Sequence, residues 1–162
     1  MIVLAIDPGN TESALVLYDA DARVVLGHAK HDNETALVDL RSRTAELRDA
    51  HLAIEMIASY GMAVGAEVFE TCVWIGRFVQ AWWPRPWTKV YRREVKAEVC
   101  GDSRAKDANI RQALIDRFGP GKERAIGTKR APGPLYGISA DQWSALAVAV
   151  TFAAQRAVRS AA

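Results

Sequence analysis

Cysteine and histidine are scarce in this 162-residue chain, with two and three copies respectively. Cys72 and Cys100 lie far apart, match no metal-ligand spacing, and are not accompanied by regularly spaced histidines. The pattern therefore gives no support to a metal site built from these two residue types. We expect both thiols to be reduced and half-buried, as in a cytoplasmic protein.

Long apolar runs are also missing. No stretch reaches the roughly 20 residues of a membrane-spanning helix, and the N-terminus lacks the pattern of an export signal, so we expect neither a membrane span nor export. With 50% hydrophobic and 25% charged residues, the composition is that of a soluble globular protein. We expect residues 1–162 to form one domain with a substantial core, without internal repeats or an interdomain linker.

The net charge of only +2 hides an uneven distribution. Residues 85–130 hold 13 Lys and Arg but six Asp and Glu, whereas the rest of the chain holds eight basic and 13 acidic residues. Solvated helix faces are the usual explanation of such a pattern. A nucleic-acid enzyme also needs it, because its cations bind phosphates and its acids bind metal ions, so the charge pattern alone does not decide between them.

The apolar pattern predicts an α/β fold. Three short strands with tight links begin the chain, which is typical of an antiparallel meander. Helices and two further strands follow, so the pattern predicts a mixed sheet flanked by helices. The predicted strands are 2–6, 13–18, 23–29, 51–56 and 88–92, and the predicted helices are 35–48, 65–83, 93–100, 103–118 and 139–159. Glycine, proline and basic residues predict a long loop at 119–137.

Three acids stand at the ends of predicted elements. Asp7 follows the first strand, Glu55 lies near the end of the fourth, and Asp141 lies in the first turn of the last helix. Each has an ordinary explanation in a turn hydrogen bond, a salt bridge or the helix dipole. If the first and fourth strands are neighbours, however, the three carboxylates meet and repel one another unless cations lie among them. Such oxygens suit Mg²⁺ or Mn²⁺, and two of these ions about 4 Å apart can hydrolyse a phosphodiester.

Four blocks of the sequence resemble a known family. The blocks are "AIDPGNTESALVLYD", "LAIEM", "VKAEVCGDSRAKDANIRQALIDRF" and "SADQWSALAVAV". Their order and separations resemble those of the RuvC-type Holliday-junction resolvases of the RNase H-like superfamily, the phage-encoded branch in particular. The resemblance covers nearly the whole chain and implies an RNase H-like fold, with a five-stranded sheet of three antiparallel and two parallel strands. It also implies an endonuclease that cuts four-way junctions or other branched DNA, usually as a homodimer.

The resemblance assigns roles to five residues. Asp7, Glu55 and Asp141 match catalytic acids that bind two divalent metal ions. Lys96 and Lys106 match basic residues near the scissile backbone, and we expect Lys106 to take part in catalysis.

The chain departs from the cellular enzymes at one ligand position. Where those enzymes carry a second acid on the last helix, this chain has Ser144, which shares a helical face with Asp141. Ser144 can hold a metal-bound water but supplies no charge. Either the second metal ion binds more weakly, or another group replaces the missing ligand.

Further basic and aromatic residues are candidates for contacts with DNA. They are Arg92, Arg93, Arg104, Lys129, Arg130 and Tyr60. Phosphate binding by the cations would make DNA affinity fall with salt, whereas ordinary surface charge is the alternative explanation. Trp82 or Trp83 would fit a dimer surface, although core packing explains most of the tryptophans.

Two other functions fit parts of the sequence. The segment "DPGNTES" resembles the D-x-G-x-T phosphate loop of the actin and sugar-kinase superfamily, but the chain has no room for a second ATP-binding lobe. A branched-DNA-binding protein that has lost cleavage is the other alternative, with Ser144 as the mark of that loss.

Overall fold

The computed structural model describes residues 1–43, 45–59 and 61–161. Its strands are β1 (Ile2–Asp7), β2 (Glu12–Asp19), β3 (Val24–Asp32), β4 (His51–Met56) and β5 (Trp87–Tyr91). Its helices are α1 (Asn33–Ser42), α2 (Ala66–Trp82), α3 (Arg92–Cys100), α4 (Asp107–Phe118), α5 (Lys122–Ala125) and α6 (Gln142–Ala161). The strands form one sheet in the order β3-β2-β1-β4-β5, in which β1, β2 and β3 pair antiparallel while β4 runs parallel to both β1 and β5. The predicted mixed sheet is confirmed.

The sheet separates two apolar cores, because side chains alternate between its faces along each strand. In β1, Val3 and Ala5 pack against α6, whereas Leu4 and Ile6 pack against α1 and α2. Helices α3 and α4 complete the first of these layers. Asp7 follows Ala5 by two residues and therefore emerges on the α6 side of the sheet.

A buried polar network holds the turn that follows Asp7. The Ser13 hydroxyl donates a hydrogen bond to Asn33 Oδ1 at 2.6 Å, and Asn33 Nδ2 donates to the Gly9 carbonyl at 3.0 Å. A Cβ atom on residue 9 would lie 2.4 Å from the Glu12 backbone oxygen, so a side chain there would clash. The network and the glycine together determine how the chain leaves β1, and so where Asp7 lies.

The first helix is shorter than predicted. It ends at Ser42, although the apolar spacing predicted a helix over 35–48. Leu47 supplied the last position of that spacing, and it is buried from a turn in which its N–H donates to the Arg43 carbonyl at 3.0 Å. A turn can bury a side chain at helical spacing, which is why the predicted end was wrong. Thr44, another position of the pattern, lies outside the described residues.

Two predictions for the second half of the chain are also corrected. Helix α4 begins at Asp107 and not at 103, because the Asp102 carboxylate accepts the Arg104 N–H at 2.8 Å and closes a competing turn. The predicted loop over 119–137 contains the short helix α5. The segment is therefore partly ordered by regular structure.

The scarce residue types have ordinary environments. Cys72 and Cys100 are free and half-buried, as predicted.

Of the helices that the structure describes, none is both long enough and apolar enough to cross a membrane. Trp82 is fully buried and belongs to the core, whereas Trp83 is 66% exposed.

Candidate active site

Strands β1 and β4 bring two acids together. They are parallel neighbours with Ile6 opposite Ile54, so Asp7 and Glu55 follow at the same level and on the same face. The two side chains lie close enough for each carboxyl group to shift the pKa of the other. Two carboxylates at such short range repel each other when both are ionised, which favours a proton on one of them.

The environment explains why a proton is retained. Burial, followed by the charges of Glu55 and Asp141, raises the pKa of Asp7 to about 8 against the opposing charge of Arg92. Burial likewise raises the pKa of Glu55, and Arg92 again opposes the shift. Two neighbouring buried carboxyl groups thus need a positive charge beside them, which a proton or a bound cation supplies.

Arg92 lies beside the acid pair as the first residue of α3, directly after β5. Its Nη1 atom is 3.5 Å from Glu55 Oε2, and its Nη2 atom is 2.8 Å from Asp107 Oδ1. Lys96, one helical turn further on, places its Nζ atom 3.9 Å from the same Asp107 oxygen. Two cations therefore stand on one side of the acids, where a phosphate group would need them.

Asp141 lies near the pair but bonds elsewhere. It precedes α6, which begins at Gln142, so its predicted place in the first helical turn is corrected by one residue. Its Oδ2 atom is 2.8 Å from Lys30 Nζ, which is also 3.2 Å from Glu12 Oε2. Its charge still reaches Asp7, where it raises the pKa. Among the described residues, no three Asp, Glu, His or Cys side chains are close enough to share a metal ion.

The donor chemistry of the site fits Mg²⁺ or Mn²⁺. Asp7 and Glu55 offer hard carboxylate oxygens, the preferred ligands of these ions. A divalent cation bound to both carboxylates would neutralise both charges. Asp141, with a side chain 55% exposed, is the nearby acid that could complete the set.

Two solved structures of the protein RuvC are similar to this chain. One is described as Thermus thermophilus RuvC structure, with a TM-score of 0.65 and 19% identity over 97% of this chain and 97% of that chain. The other is T. thermophilus RuvC in complex with Holliday junction substrate, with a TM-score of 0.73 and 18% identity over 98% of this chain and 96% of that chain. This chain has the RuvC fold. No protein-family model and no curated protein matches the chain significantly.

On this RuvC fold, Ser144 follows Asp141 along the last helix. The Ser144 side chain is half-buried and lines a cavity of about 550 Å³, together with Asp141, Asp107 and Arg92. The serine thus opens into the same space as the charged groups beside the acid pair. Its hydroxyl offers a neutral oxygen, and its role as a metal ligand stays a prediction.

The basic residues predicted to contact DNA differ in their distance from the acid pair Asp7 and Glu55. Arg92 contacts Glu55 directly, and the charge of Lys96 lowers the pKa of Glu55. Lys106 precedes Asp107 at the rim of the cavity. The exposed remainder are Arg93, Arg104, Lys106, Lys129 and Arg130. Tyr60 lies outside the described residues.

The sequence did not single out three charged residues of this region of the RuvC fold. They are Lys30 and Glu12, which bind each other, and Asp107, which binds Arg92. Exposed and half-buried residues alternate along β3, but the face of the sheet on which Lys30 lies is known only once the strand register is known. Asp107 resembles any acid that begins a helix.

Proposed function

We propose that this protein is a metal-dependent, structure-selective endonuclease that resolves Holliday junctions or other branched DNA by phosphodiester hydrolysis. The observation that carries the proposal is the contact between Asp7 and Glu55 at the ends of two parallel strands, on a RuvC fold. One RuvC structure of the same fold is a complex with a Holliday junction substrate, which supports branched DNA as the substrate class.

The proposed metal ligands are the three acids and a serine. Asp7, Glu55 and Asp141 would hold Mg²⁺ or Mn²⁺, two ions in all, with Ser144 at the fourth ligand position. When bound, such ions act as Lewis acids on the attacking water and the leaving oxygen. Two of these proposed ligands, Asp7 and Glu55, are buried carboxylates at strand ends, which would keep them in place without DNA.

The proposed DNA-binding residues divide by position. Arg92, Lys96 and Lys106 would contact the phosphates next to the acids, Lys106 at the scissile group. More distant phosphates would be bound by Arg93, Arg104, Lys129 and Arg130, and Tyr60 would contact the substrate backbone. Because these contacts are ionic, we expect affinity for DNA to fall steeply as salt is raised.

A nicking assay tests the proposal. The protein is incubated with labelled four-way, flap and linear DNA in the presence of Mg²⁺ or Mn²⁺, and strand cleavage is measured. We expect cleavage of branched DNA, and a loss of about 100-fold or more in Asp7→Asn and Glu55→Gln, because each removes a charged metal ligand. Asp49→Asn is the matched control, since it also removes one carboxylate but from a side chain that is 87% exposed.

The same assay distinguishes the alternatives. Junction binding without any cut would support a branched-DNA-binding protein, an alternative favoured by the neutral Ser144 and by the pairing of Asp141 with Lys30. Turnover of ATP would instead support a relative of the actin and sugar-kinase superfamily. Cleavage at the parental rate in Asp7→Asn would show that Asp7 is not a ligand.

We also propose that the protein acts as a homodimer. The outward side of α2 carries Phe69 and Val73, which are 62% and 58% exposed, and Met62 just before the helix is 71% exposed. Phe69 and Val73 are four residues apart and share one face of the helix. We name these three residues the α2 outer face. Exposed apolar side chains grouped on one helix face are typical of protein interfaces.

The cellular setting follows from the sequence resemblance. The proposal places the protein in the phage-encoded branch of RuvC-type resolvases, acting in DNA recombination in the cytoplasm of a bacterial host.

A further inference from the structure

Lys30 on β3 is the positive partner of Asp141 in the candidate active site. Its Nζ atom lies 2.8 Å from Asp141 Oδ2 and 3.2 Å from Glu12 Oε2. One ammonium group therefore joins an acid at the start of β2 to the acid that precedes α6. These elements are distant in sequence, and the ion pair is a product of the tertiary structure.

The strand register places Lys30 in the same row as the acid pair. Asp7 lies opposite Ala14 on β2, and Ala14 lies opposite Lys30 on β3. Residues opposite one another in neighbouring strands point to the same face, so Lys30 emerges on the α6 side, two strands or about 10 Å from Asp7. Ala14 between them carries only a methyl group and is fully buried. The lysine stem can therefore lie across β2 toward α6.

Cations thus lie on both sides of the carboxylates. Arg92 contacts Glu55 from the β5 side, and Lys30 contacts Asp141 from the β3 side. Asp141, the third proposed acid ligand, is thus paired through Oδ2 with an ammonium group. That oxygen cannot bind a metal ion while the ion pair persists.

We infer that Lys30 is the resting counter-ion of Asp141 and competes with the divalent cation for this carboxylate. The inference rests on the proposed function, since it requires Asp141 to be a metal ligand. When Asp141 turns to the metal, Lys30 keeps Glu12 as a partner, so the exchange leaves no unpaired ammonium group. The side chains of Lys30, Asp141 and Glu12 are 32%, 55% and 56% exposed, and ion pairs that accessible to solvent are weak enough for a divalent ion to displace. Lys30 is thus a positioning residue that sets the metal concentration at which the site assembles.

Calorimetric titration with Mn²⁺ in the absence of DNA tests this inference without measuring cleavage. We expect Lys30→Met to lower the apparent Kd for Mn²⁺ by about three- to fivefold, the size of the equilibrium effect of a partly exposed ion pair. Lys30→Arg, which keeps the charge and the pairing, should bind Mn²⁺ like the parent. Circular dichroism checks that the variants are folded. Lys30→Gln is a second variant that removes the ammonium charge.

Arg111→Met is the matched charge control. Arg111 lines the cavity that Asp141 and Ser144 also line, and it lies over the Trp143 ring at 4.9 Å. Among the described residues, Asp141 has its ion pair with Lys30 and none with Arg111. It should change the Kd for Mn²⁺ less than Lys30→Met does. Equal effects of the two variants would reduce the role of Lys30 to general electrostatics and overturn the inference.

The remaining outcomes separate this inference from the proposed function. If the parent binds Mn²⁺ and Lys30→Met binds it no more tightly, the inference is wrong while the metal site stands. If the parent neither binds Mn²⁺ nor gains thermal stability from it, the metal site itself is wrong, and the competition falls with it.

Discussion

At the scale of single residues, the acid pair is a local source of instability. Asp7 and Glu55 are held together by strand pairing, although burial raises the pKa of both groups and the charge of Glu55 raises that of Asp7 further. Strand ends are rigid, so the carboxylates cannot separate to relieve the repulsion. A site that is unfavourable without cations binds them more strongly, since binding also removes the repulsion.

This repulsion predicts how stability depends on pH. The folded chain keeps the Asp7 proton up to its raised pKa of about 8, whereas the unfolded carboxyl loses it above about pH 4. Between these values the folded state binds more protons, so without divalent metal the free energy of unfolding should fall as pH rises from 5 to 8, on the order of a few kcal/mol in total. Glu55, whose pKa is also raised, acts in the same direction. Urea unfolding followed by tryptophan fluorescence measures the effect.

The variant that tests this prediction is Asp7→Asn, which replaces one carboxyl oxygen of Asp7 by an amide nitrogen. Asp7→Asn should flatten much of the pH dependence and make the metal-free protein more stable at pH 8, because the amide needs no proton. Asp49→Asn, at an exposed carboxylate, should leave the profile unchanged. A profile in Asp7→Asn as steep as that of the parent would contradict the assignment.

At the scale of elements, the site depends on the connection that joins β1 to β2. The turn between them is held by Ser13 and Asn33, which are 1% and 2% exposed. Asn33 also begins α1, and its backbone N–H donates to the Thr11 carbonyl at 3.0 Å. One residue thus ties the turn after Asp7 to the start of a helix, so the position of Asp7 follows from the packing of both elements.

Asn33→Ala should therefore destabilise the protein by about 2 kcal/mol or more, since it leaves the Ser13 hydroxyl and the Gly9 carbonyl without their buried partner. Chemical denaturation provides the measurement. Glu34→Ala, at the next position, removes an exposed salt bridge to Arg77 and should change stability by less than about 1 kcal/mol. Equal losses in the two variants would mean that the network does not hold the turn.

At the scale of the whole molecule, the sheet separates two surfaces with different chemistry. The acids and their cations lie on the α6 side of the sheet, whereas the α2 outer face belongs to a helix that packs on the opposite side. A second copy bound through α2 would therefore leave the acid site open. Two sites in one assembly could then act on two strands of a branched DNA.

Charge placed on the α2 outer face should break the proposed dimer. We expect the parent to elute at twice the chain mass in light-scattering chromatography, and Phe69→Glu or Val73→Glu to elute as a monomer, because a buried unpaired carboxylate opposes association. Val158→Glu is the matched control, since Val158 is 71% exposed on α6. A monomeric parent at micromolar concentration would contradict the dimer.

The sequence by itself predicted the five strands and the mixed sheet, and it singled out Asp7, Glu55 and Asp141 as candidate acids. Short apolar segments with tight links predict β1, β2 and β3, because residue type and turn chemistry are local properties. For the same reason Asp7 and Glu55 could be placed at strand ends before their strands were known to pair. The end of α1 was wrong, since a turn buries Leu47 as effectively as a helix would.

Only the tertiary structure decided which charges meet. The register of β1, β2 and β3 places Lys30 in the row of Asp7, and the packing of α6 on that face brings Asp141 to the lysine. Arg92 meets Glu55 and Asp107 because β5 lies beside β4. An ion pair is selected by distance, and distances between residues far apart in sequence exist only after the elements have packed.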